Sequence, residues 1–381
     1  MVSAGSKSAL RPHGEFMPND LDPQLMPTGV RIEKRNALGL ITLDRPAALN
    51  ALDGSMRAAI AAALPDFATG PLTYAVVIQS ASPKAFCAGG DVRKILACYR
   101  EDKEKARRLF AEEYRLIWAL ECFSRPTASL IDGLVMGSGV GLSGFNTHQV
   151  AGEKYRFAMP ETSIGLFPDV GAAHVLARLP HEIGTYLGLT GRVIGRADAY
   201  ALGLVTHCLP ASRFAEVIDS LIEAWPIDPL LDDRHEDPGE SELMGRGEII
   251  ERCFSPSSVS EILARLADVR GSQAEWASGV RDDLLARAPL SLAVSLRHIR
   301  EARDCGVRET LTRDYRLACR FLEGHDFSEG VRAMLVDKDK APHWQPPSIA
   351  EIDLASVERY FAPLAEGELE LQTREQMQAL P

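Results

Sequence analysis

The residues best suited to chemistry lie between positions 127 and 173. Five glycines fall where an apolar run gives way to an amphipathic one: Gly133, Gly137, Gly139, Gly141 and Gly144. Glycine lets backbone N–H groups approach a ligand closely, so this turn predicts a binding site for an oxygen anion. Glu161 and Asp169 each directly follow a proline, and proline argues against a long helix at those points. The spacing therefore predicts two carboxylates on loops beside an anion-binding turn.

Other interpretations of the same residues have to be weighed. Acids after proline often cap or open a helix without any chemical role. The stretch from Gly139 to Gly144 fits the dinucleotide pattern G-x-G-x-x-G, but its ribose-binding acid should close a second apolar strand, and Pro160 before Glu161 argues against such a strand. Ser138 and Ser143 both lack the full G-x-S-x-G pattern of serine hydrolases. A structural turn and a catalytic pair both stay open on spacing alone.

The length and composition of the chain limit the classes of protein to which it could belong. The chain has 381 residues and a formal net charge of −11, which predicts either one extended domain with an appendage or two domains, and no nucleic acid partner. The seven cysteines are scattered and form no C-x-x-C, which predicts reduced thiols in the cytoplasm. Residues 1–28 contain four prolines and no continuous apolar core, so we expect a poorly ordered arm and no membrane anchor.

The elements before the glycine cluster alternate between strands and helices. Residues 30–34 and 38–43 read as a hairpin, and residues 74–79 as a buried strand. Asp53 is placed to cap the helix that separates them. The segment KAFCAGGD then offers a second close backbone approach, with Asp91 placed to cap the next helix.

Glu113 breaks the pattern of the helix predicted over residues 104–121. It lies on the apolar stripe, four residues after Leu109 and four before Ile117. A carboxylate there either is buried with a partner, with Arg115 or Arg156 as candidates, or faces a pocket.

The composition divides the chain after the N-terminal arm, residues 1–28, into three further parts. Residues 29–225 form the predicted α/β core, and residues 226–247, which are acidic and punctuated by proline and glycine, predict an exposed linker or long loop. Residues 248–381 form a C-terminal helical region, because the apolar spacing from 248 to 361 is almost wholly helical.

Four motifs of the chain together resemble the crotonase superfamily of enoyl-CoA hydratases and isomerases: LDRPAALNAL, KAFCAGGD, IDGLVMGSGVGLS and FAMPETSIGLFPDVGAA. A narrower resemblance, to the branch that hydrolyses 3-hydroxyisobutyryl-CoA, rests on MPETSIGLFPDVG and on the C-terminal SLAVSLRHIR and DYRLACRFLEGHDFSEGVRAMLVDKDKAPHW. The resemblance implies an α/β spiral of ββα units with added C-terminal helices. It also implies hydrolysis of a short-chain 3-hydroxyacyl-CoA thioester in valine catabolism.

The resemblance implies that the backbone N–H groups of Ala88 and Ser138 form an oxyanion hole for the thioester oxygen. Further residues are implied to bind the substrate: Gly89, Gly90, Asp91 and Gly137. Family members usually have glycine where Ser138 stands, and a left-handed backbone at a serine would cost about 1–2 kcal/mol.

The acids also receive roles from the resemblance. Glu161 is implied to act as nucleophile or as base for water, Asp169 to bind the substrate's 3-hydroxyl or to orient Glu161, and Glu113 to contact the substrate. Hydratases of this type place a second glutamate where Gly141 stands, so water addition is disfavoured. CoA enters as part of the acyl-CoA substrate, no other cofactor and no metal is implied, and relatives suggest a homo-oligomer.

Two rival functions stay open from the sequence. An enoyl-CoA isomerase needs one carboxylate to move a proton between carbons, which Glu161 could do alone. A protein that binds acyl-CoA without turnover is the other, and the departure at Ser138 is its support.

Overall fold

The structure is a computed structural model, in which residues 29–365 and 367–379 are described. The predicted N-terminal arm, residues 1–28, lies outside the described residues. The predicted hairpin and the helices capped by Asp53 and Asp91 are confirmed, since each of these two carboxylates accepts a hydrogen bond from a backbone N–H of its helix's first turn.

The strands of the described chain form two sheets. The strands have the following bounds: β1 Val30–Arg35, β2 Leu38–Leu43, β3 Ala75–Ser80, β4 Ala85–Cys87, β5 Thr127–Ile131, β6 Leu134–Met136, β7 His148–Ala151, β8 Arg156–Ala158 and β9 His207–Cys208. The larger sheet has the order β1-β2-β3-β5-β7-β9 and the smaller one the order β4-β6-β8. All pairings are parallel except the β1–β2 hairpin.

The α-helices of the core alternate with these strands. Their bounds are α1 Gly54–Thr69, α2 Val92–Glu101, α3 Lys103–Glu121, α4 Ser138–Gly144, α5 Ala172–Leu176, α6 Ile183–Thr190, α7 Arg196–Ala201 and α8 Phe214–Ile222. Successive units place one strand in the larger sheet, the next in the smaller sheet, and then a helical segment. This is the ββα spiral that the sequence predicts.

Both faces of the larger sheet are covered. Every residue of β2 and of β5 is buried, as is typical of parallel strands with helices on both sides. One face packs into the main core, and the other packs under α8.

The predicted exposed linker over residues 226–247 is wrong in its first part. Residues Ile227–Asp232 form helix α9, and Ile227, Leu230 and Leu231 are buried in the second core beside α8. These apolar residues are spaced at helical intervals, and their burial outweighs the acidic composition around them. The segment therefore closes the outer face of the sheet.

The C-terminal region is helical, as predicted, with no strand between 248 and 361 in the described chain. Its helices have the following bounds: α10 Glu242–Gly245, α11 Gly247–Phe254, α12 Val259–Ala267, α13 Ala274–Leu285, α14 Pro289–Glu301, α15 Val307–Glu323, α16 His325–Val331, α17 Leu354–Phe361 and α18 Arg374–Gln378. A π-helix, Arg332–Val336, follows α16 directly. Short 3₁₀ helices occur at Pro46–Ala48, Glu161–Ile164, Pro180–Glu182, Ala211–Arg213, Gly271–Gln273, Ala302–Asp304 and Ile349–Glu351.

Two further expectations concern thiols and membranes. All seven cysteines lie within the described residues and are free thiols, as the scattered spacing predicts. Among the described residues, no helix has the length and apolarity that crossing a membrane would require.

Candidate active site

The candidate site lies at one edge of the smaller sheet. Strands β4, β6 and β8 are parallel neighbours, so their carboxyl ends meet at the same edge. The chain leaves β4 into Ala88–Gly90, leaves β6 into Gly137 and leaves β8 into Met159-Pro160-Glu161. Three segments that are far apart in sequence are thereby brought to one place.

The loop of the LDRPAALNAL motif fixes the first of these segments. The Leu52 N–H donates to the Gly89 carbonyl over 2.8 Å, and the Asp91 N–H donates to the Leu52 carbonyl over 3.0 Å. Asn50 is buried and donates from its side-chain amide to the Phe86 carbonyl over 2.9 Å. These bonds hold the Gly89–Gly90 peptide without using either glycine's N–H.

The prediction that Ala88 supplies an oxyanion donor is wrong. The Ala88 N–H donates to the Leu49 carbonyl over 3.0 Å, so it is not available to a ligand. Gly90 has no hydrogen-bond acceptor for its N–H among the described residues. The Gly89 N–H likewise has no acceptor among those residues, and Gly90 is the better candidate donor because it adjoins Ser138.

Ser138 has the free N–H that its predicted role as second donor requires, and that role stays a prediction. It begins α4, and its N–H has no acceptor among residues 29–365 and 367–379. The left-handed conformation belongs to Gly137, with φ +48°, and Ser138 has negative φ. The serine therefore carries none of the strain considered from the sequence. A Cβ built on Gly90 would lie 2.9 Å from the Ser138 Oγ, so the two donors belong to adjacent segments.

Gly141 has no room for the second acid of hydratases. A Cβ built there would lie 2.7 Å from Ile117 Cδ1 and 2.8 Å from Val170 Cβ, and real Cβ atoms do not come so close to such neighbours. The position that hydratases fill with glutamate is closed by apolar side chains from α3 and from the loop before α5.

Glu161 faces the turn. It opens the 3₁₀ helix Glu161–Ile164 and is 6% exposed. A Cβ built on Gly137 would lie 2.9 Å from the Glu161 Oε1, and the other oxygen, Oε2, is buried with no hydrogen-bond partner among the described residues. Burial raises the pKa of Glu161 to about 8. The side chain is therefore a buried, unpaired carboxyl directly beside the glycine turn.

Asp169 lies close to the other two acids. It is buried, and the Tyr114 hydroxyl donates to its Oδ2 over 2.8 Å. Burial, together with the nearby charges of Glu113 and Glu161, raises the pKa of Asp169 well above its usual range. Asp169 is thus a buried acid, held by Tyr114 and close to Glu161.

The alternative that Glu113 is buried with a partner is confirmed, but the partners named from the sequence are wrong. Glu113 is buried, but its partner is Arg57 of α1, 3.2 Å away, and neither Arg115 nor Arg156. Arg57 also donates to the Leu52 carbonyl over 3.3 Å, which links the acid to the loop that holds Gly89 and Gly90. The Glu113 Oε1 is buried with no partner among the described residues.

Two further groups near the turn have structural contacts. Asp91 caps α2 and pairs with Arg45 at 3.0 Å, so its predicted contact with substrate stays a prediction, as do those of Gly89, Gly90 and Gly137. Burial raises the pKa of the Cys87 thiol to about 12, which removes it as a nucleophile at neutral pH.

Sequence reasoning missed Tyr114 and Arg57. Tyr114 adjoins Glu113 on α3 and could have been suspected as its neighbour, whereas Arg57 lies on an apolar face of α1 and has no local signal. Within the described residues, no cluster of three or more His, Cys, Asp or Glu side chains is arranged to hold a metal ion.

Replacing Gly137 by alanine should displace Glu161 and lower kcat by about 10²-fold, because a misplacement of about 1 Å can cost that much. Gly203→Ala is the matched control, since Gly203 also has positive φ but a Cβ there meets nothing within 4 Å. Both variants should lose similar melting temperature, measured by circular dichroism. Equal kcat in the two would show that contact with Glu161 does not matter.

The ββα spiral defines a crotonase-like protein, and its candidate site combines two free main-chain N–H groups with a buried acid. The sequence model of the family "Enoyl-CoA hydratase/isomerase" matches residues 38–361, and the chain belongs to that family. The predicted superfamily and fold are thereby confirmed.

The chain is also similar to individual proteins of known name over most of its length. The chain is 36% identical over 364 residues to 3-hydroxyisobutyryl-CoA hydrolase 1 of Arabidopsis thaliana, covering 92% of this chain and 96% of that protein. It is 37% identical over 354 residues to the mitochondrial 3-hydroxyisobutyryl-CoA hydrolase of Homo sapiens, covering 89% and 90%. The crystal structure of a carnitinyl-CoA dehydratase from Mycobacterium thermoresistibile matches with a TM-score of 0.85 and 34% identity, covering 90% of this chain and 98% of that one.

Proposed function

We propose that the protein hydrolyses 3-hydroxyisobutyryl-CoA to 3-hydroxyisobutyrate and free CoA. The relatives of similar length that carry this activity in their names support the substrate. The observation that carries the reaction type is the buried carboxyl of Glu161 beside the N–H groups of Gly90 and Ser138, which have no acceptor in the described chain, with the place of the second hydratase acid closed at Gly141. Valine catabolism is the metabolic setting that this substrate implies.

The reaction begins with the thioester oxygen between the N–H groups of Gly90 and Ser138. Negative charge develops on that oxygen when the carbonyl carbon is attacked, and each such donor is typically worth about 2.7–4 kcal/mol of transition-state stabilisation. The Gly90 N–H is held in place by the two hydrogen bonds that Leu52 makes to Gly89 and Asp91, and the Ser138 N–H by the start of α4. Neither N–H group therefore needs to move when the charge appears.

Glu161 supplies the attacking group in one of two ways. As nucleophile, its carboxylate forms a bond to the carbonyl carbon, the C–S bond breaks, and the thiolate of CoA leaves and takes a proton; water then opens the mixed anhydride. As base, it takes a proton from water, which attacks directly. The resemblance favours the nucleophile, and both routes need Glu161 ionised.

Asp169 and Glu113 are suited to the substrate's 3-hydroxyl. The unpartnered Oε1 of Glu113 can accept from that hydroxyl, and Asp169, held by Tyr114, can bind the same hydroxyl or orient Glu161. A buried polar group without a partner costs about 1–3 kcal/mol, so a 3-hydroxyacyl chain should bind better than its deoxy analogue. The proposed reaction uses no metal and no cofactor beyond the substrate's CoA.

The purified protein, treated with chelator, is expected to release free thiol from 3-hydroxyisobutyryl-CoA, measured with a thiol-trapping dye. Parallel incubations with a 2-enoyl-CoA and a 3-enoyl-CoA, followed by absorbance of the conjugated thioester, test hydration and isomerisation. Thiol release with unchanged enoyl-CoA supports hydrolysis. Isomerised 3-enoyl-CoA without thiol release, or binding by calorimetry with no product, would overturn the proposal.

The rate should rise with pH. Glu161 must be ionised, and burial raises its pKa to about 8, so kcat/KM is expected to fall about tenfold per pH unit below that value and to level off above it. A series from pH 6 to 9.5, corrected for spontaneous thioester hydrolysis in enzyme-free samples, measures this. A flat profile over that range would contradict an ionising Glu161.

Location and assembly stay predictions. Reduced cysteines favour the cytoplasm, whereas the human relative carries "mitochondrial" in its name. A homo-oligomer is expected from the resemblance, and the C-terminal helices are the elements that could cover the surface used for it.

A further inference from the structure

The loop that carries Asp169 is held in place by contacts with two helices of the C-terminal region, α14 and α15. The Gly171 N–H donates to the Asp314 Oδ2 of α15 over 2.7 Å. The other oxygen of Asp314 lies 2.6 Å from the His298 Nε2 of α14. Both His298 and Asp314 have no exposed surface. One buried carboxylate therefore joins an imidazole to the backbone two residues after Asp169.

This loop needs to be held because its backbone is strained. Val170 has φ +56°, and a left-handed conformation at a β-branched residue costs on the order of 1–3 kcal/mol and persists only where the surroundings impose it. Gly171 follows with φ +77°. Without an acceptor for the Gly171 N–H, the turn would relax, and the direction of Asp169 would change with it.

The same helices also hold the loop before Asp169. The Phe167 ring meets the edge of His298 with centroids 5.6 Å apart, and it stacks on Phe321 of α15 at 5.4 Å. Asp169 therefore lies between Phe167, which packs against α14 and α15, and Gly171, whose N–H donates to Asp314 of α15.

We propose that His298 and Asp314 are positioning residues for Asp169. Asp314 fixes the Val170–Gly171 turn through the Gly171 N–H, and His298 fixes Asp314 through its Nε2. The proposal rests on the proposed function, because Asp169 matters to the rate only if the protein is the hydrolase. It gives the C-terminal helices a part in the reaction, although the side chains of both residues are completely buried.

Asp314→Asn keeps the shape of the side chain but leaves one acceptor oxygen where the two bonds use two. With 3-hydroxyisobutyryl-CoA, kcat is expected to fall by about 10–100-fold with KM changed less than about threefold, since a small misplacement of a reacting group has effects of this size. Thr310→Val is the matched control. Thr310 is also buried in α15, but its hydroxyl bonds only to Gly306 of the same helical turn, so kcat should stay near the wild-type value.

A double-mutant cycle separates positioning from general damage. If Asp314 acts through Asp169, then Asp169→Asn/Asp314→Asn should be about as slow as Asp169→Asn alone. If Asp314 only supports the fold, the two losses should multiply, and the inference is wrong. Wild-type kcat in a folded Asp314→Asn would also overturn it. Wild-type protein that releases no CoA would instead refute the proposed function.

A second pair of variants covers the case in which Asp314→Asn does not fold, judged by circular dichroism. His298→Gln can still donate to Asp314, and His298→Leu cannot. We expect His298→Gln to keep kcat within about threefold and His298→Leu to lose about tenfold or more. Equal kcat in these two variants would count against the inference.

Discussion

Replacing Glu161 by glutamine is expected to lower kcat for CoA release by about 10³-fold or more while KM changes little. General base help is typically worth 10²–10⁴ in rate, and loss of a nucleophile is expected to be at least as costly. Glutamine fills the same space, so substrate should still bind. Steady-state kinetics with a thiol-trapping dye measure both constants.

Stability provides the control for this variant. Because burial raises the pKa of Glu161 to about 8, the folded protein holds the proton more tightly than the unfolded chain. That contribution is complete below the ordinary glutamate pKa and is lost as pH rises through 8. Glu161→Gln should therefore melt no lower than wild type at pH 6 and higher at pH 9. Wild-type kcat in the variant would remove Glu161 from the chemistry.

The three acids near the turn could be selected from the sequence, because each has a local signal. Glu113 lies on an apolar helical stripe, and Glu161 and Asp169 lie after prolines near a glycine cluster. The same signal was present in Asp314, which lies three residues after Leu311 and three before Leu317 on the buried face of α15. In both helices the acid on the apolar stripe is buried and bonded to a distant partner.

The sequence could not show which N–H group of the Ala88–Gly90 turn is free, because that depends on an acceptor in a separate loop. Ala88 and Gly90 lie in the same turn, and only the Leu49 carbonyl, presented by a separate loop, decides which of their N–H groups is free. In the same way, the partner of Glu113 comes from α1, and neither of the arginines considered from the sequence pairs with it. Hydrogen-bond partners that come from distant segments can be identified only once the fold is known.

Breaking the Arg57–Glu113 pair is expected to destabilise the protein by about 3–5 kcal/mol, because removing one member of a buried pair leaves an uncompensated charge. Both side chains are almost fully buried, 3.2 Å apart. Arg57→Met keeps the length and apolar stem of the side chain while removing the cation. The denaturation midpoint in urea, compared at equal m-value, measures the loss.

Two further variants test the cause of that loss. Arg35→Met removes an arginine from an exposed pair with Glu33 and should cost less than about 1 kcal/mol. Adding Glu113→Gln to Arg57→Met should recover part of the midpoint, since the buried group is then neutral. If the double variant is less stable than Arg57→Met, buried charge is not the cause. The lost bond from Arg57 to the Leu52 carbonyl would then be the origin, and the turn that presents the Gly90 N–H would lose order together with the fold.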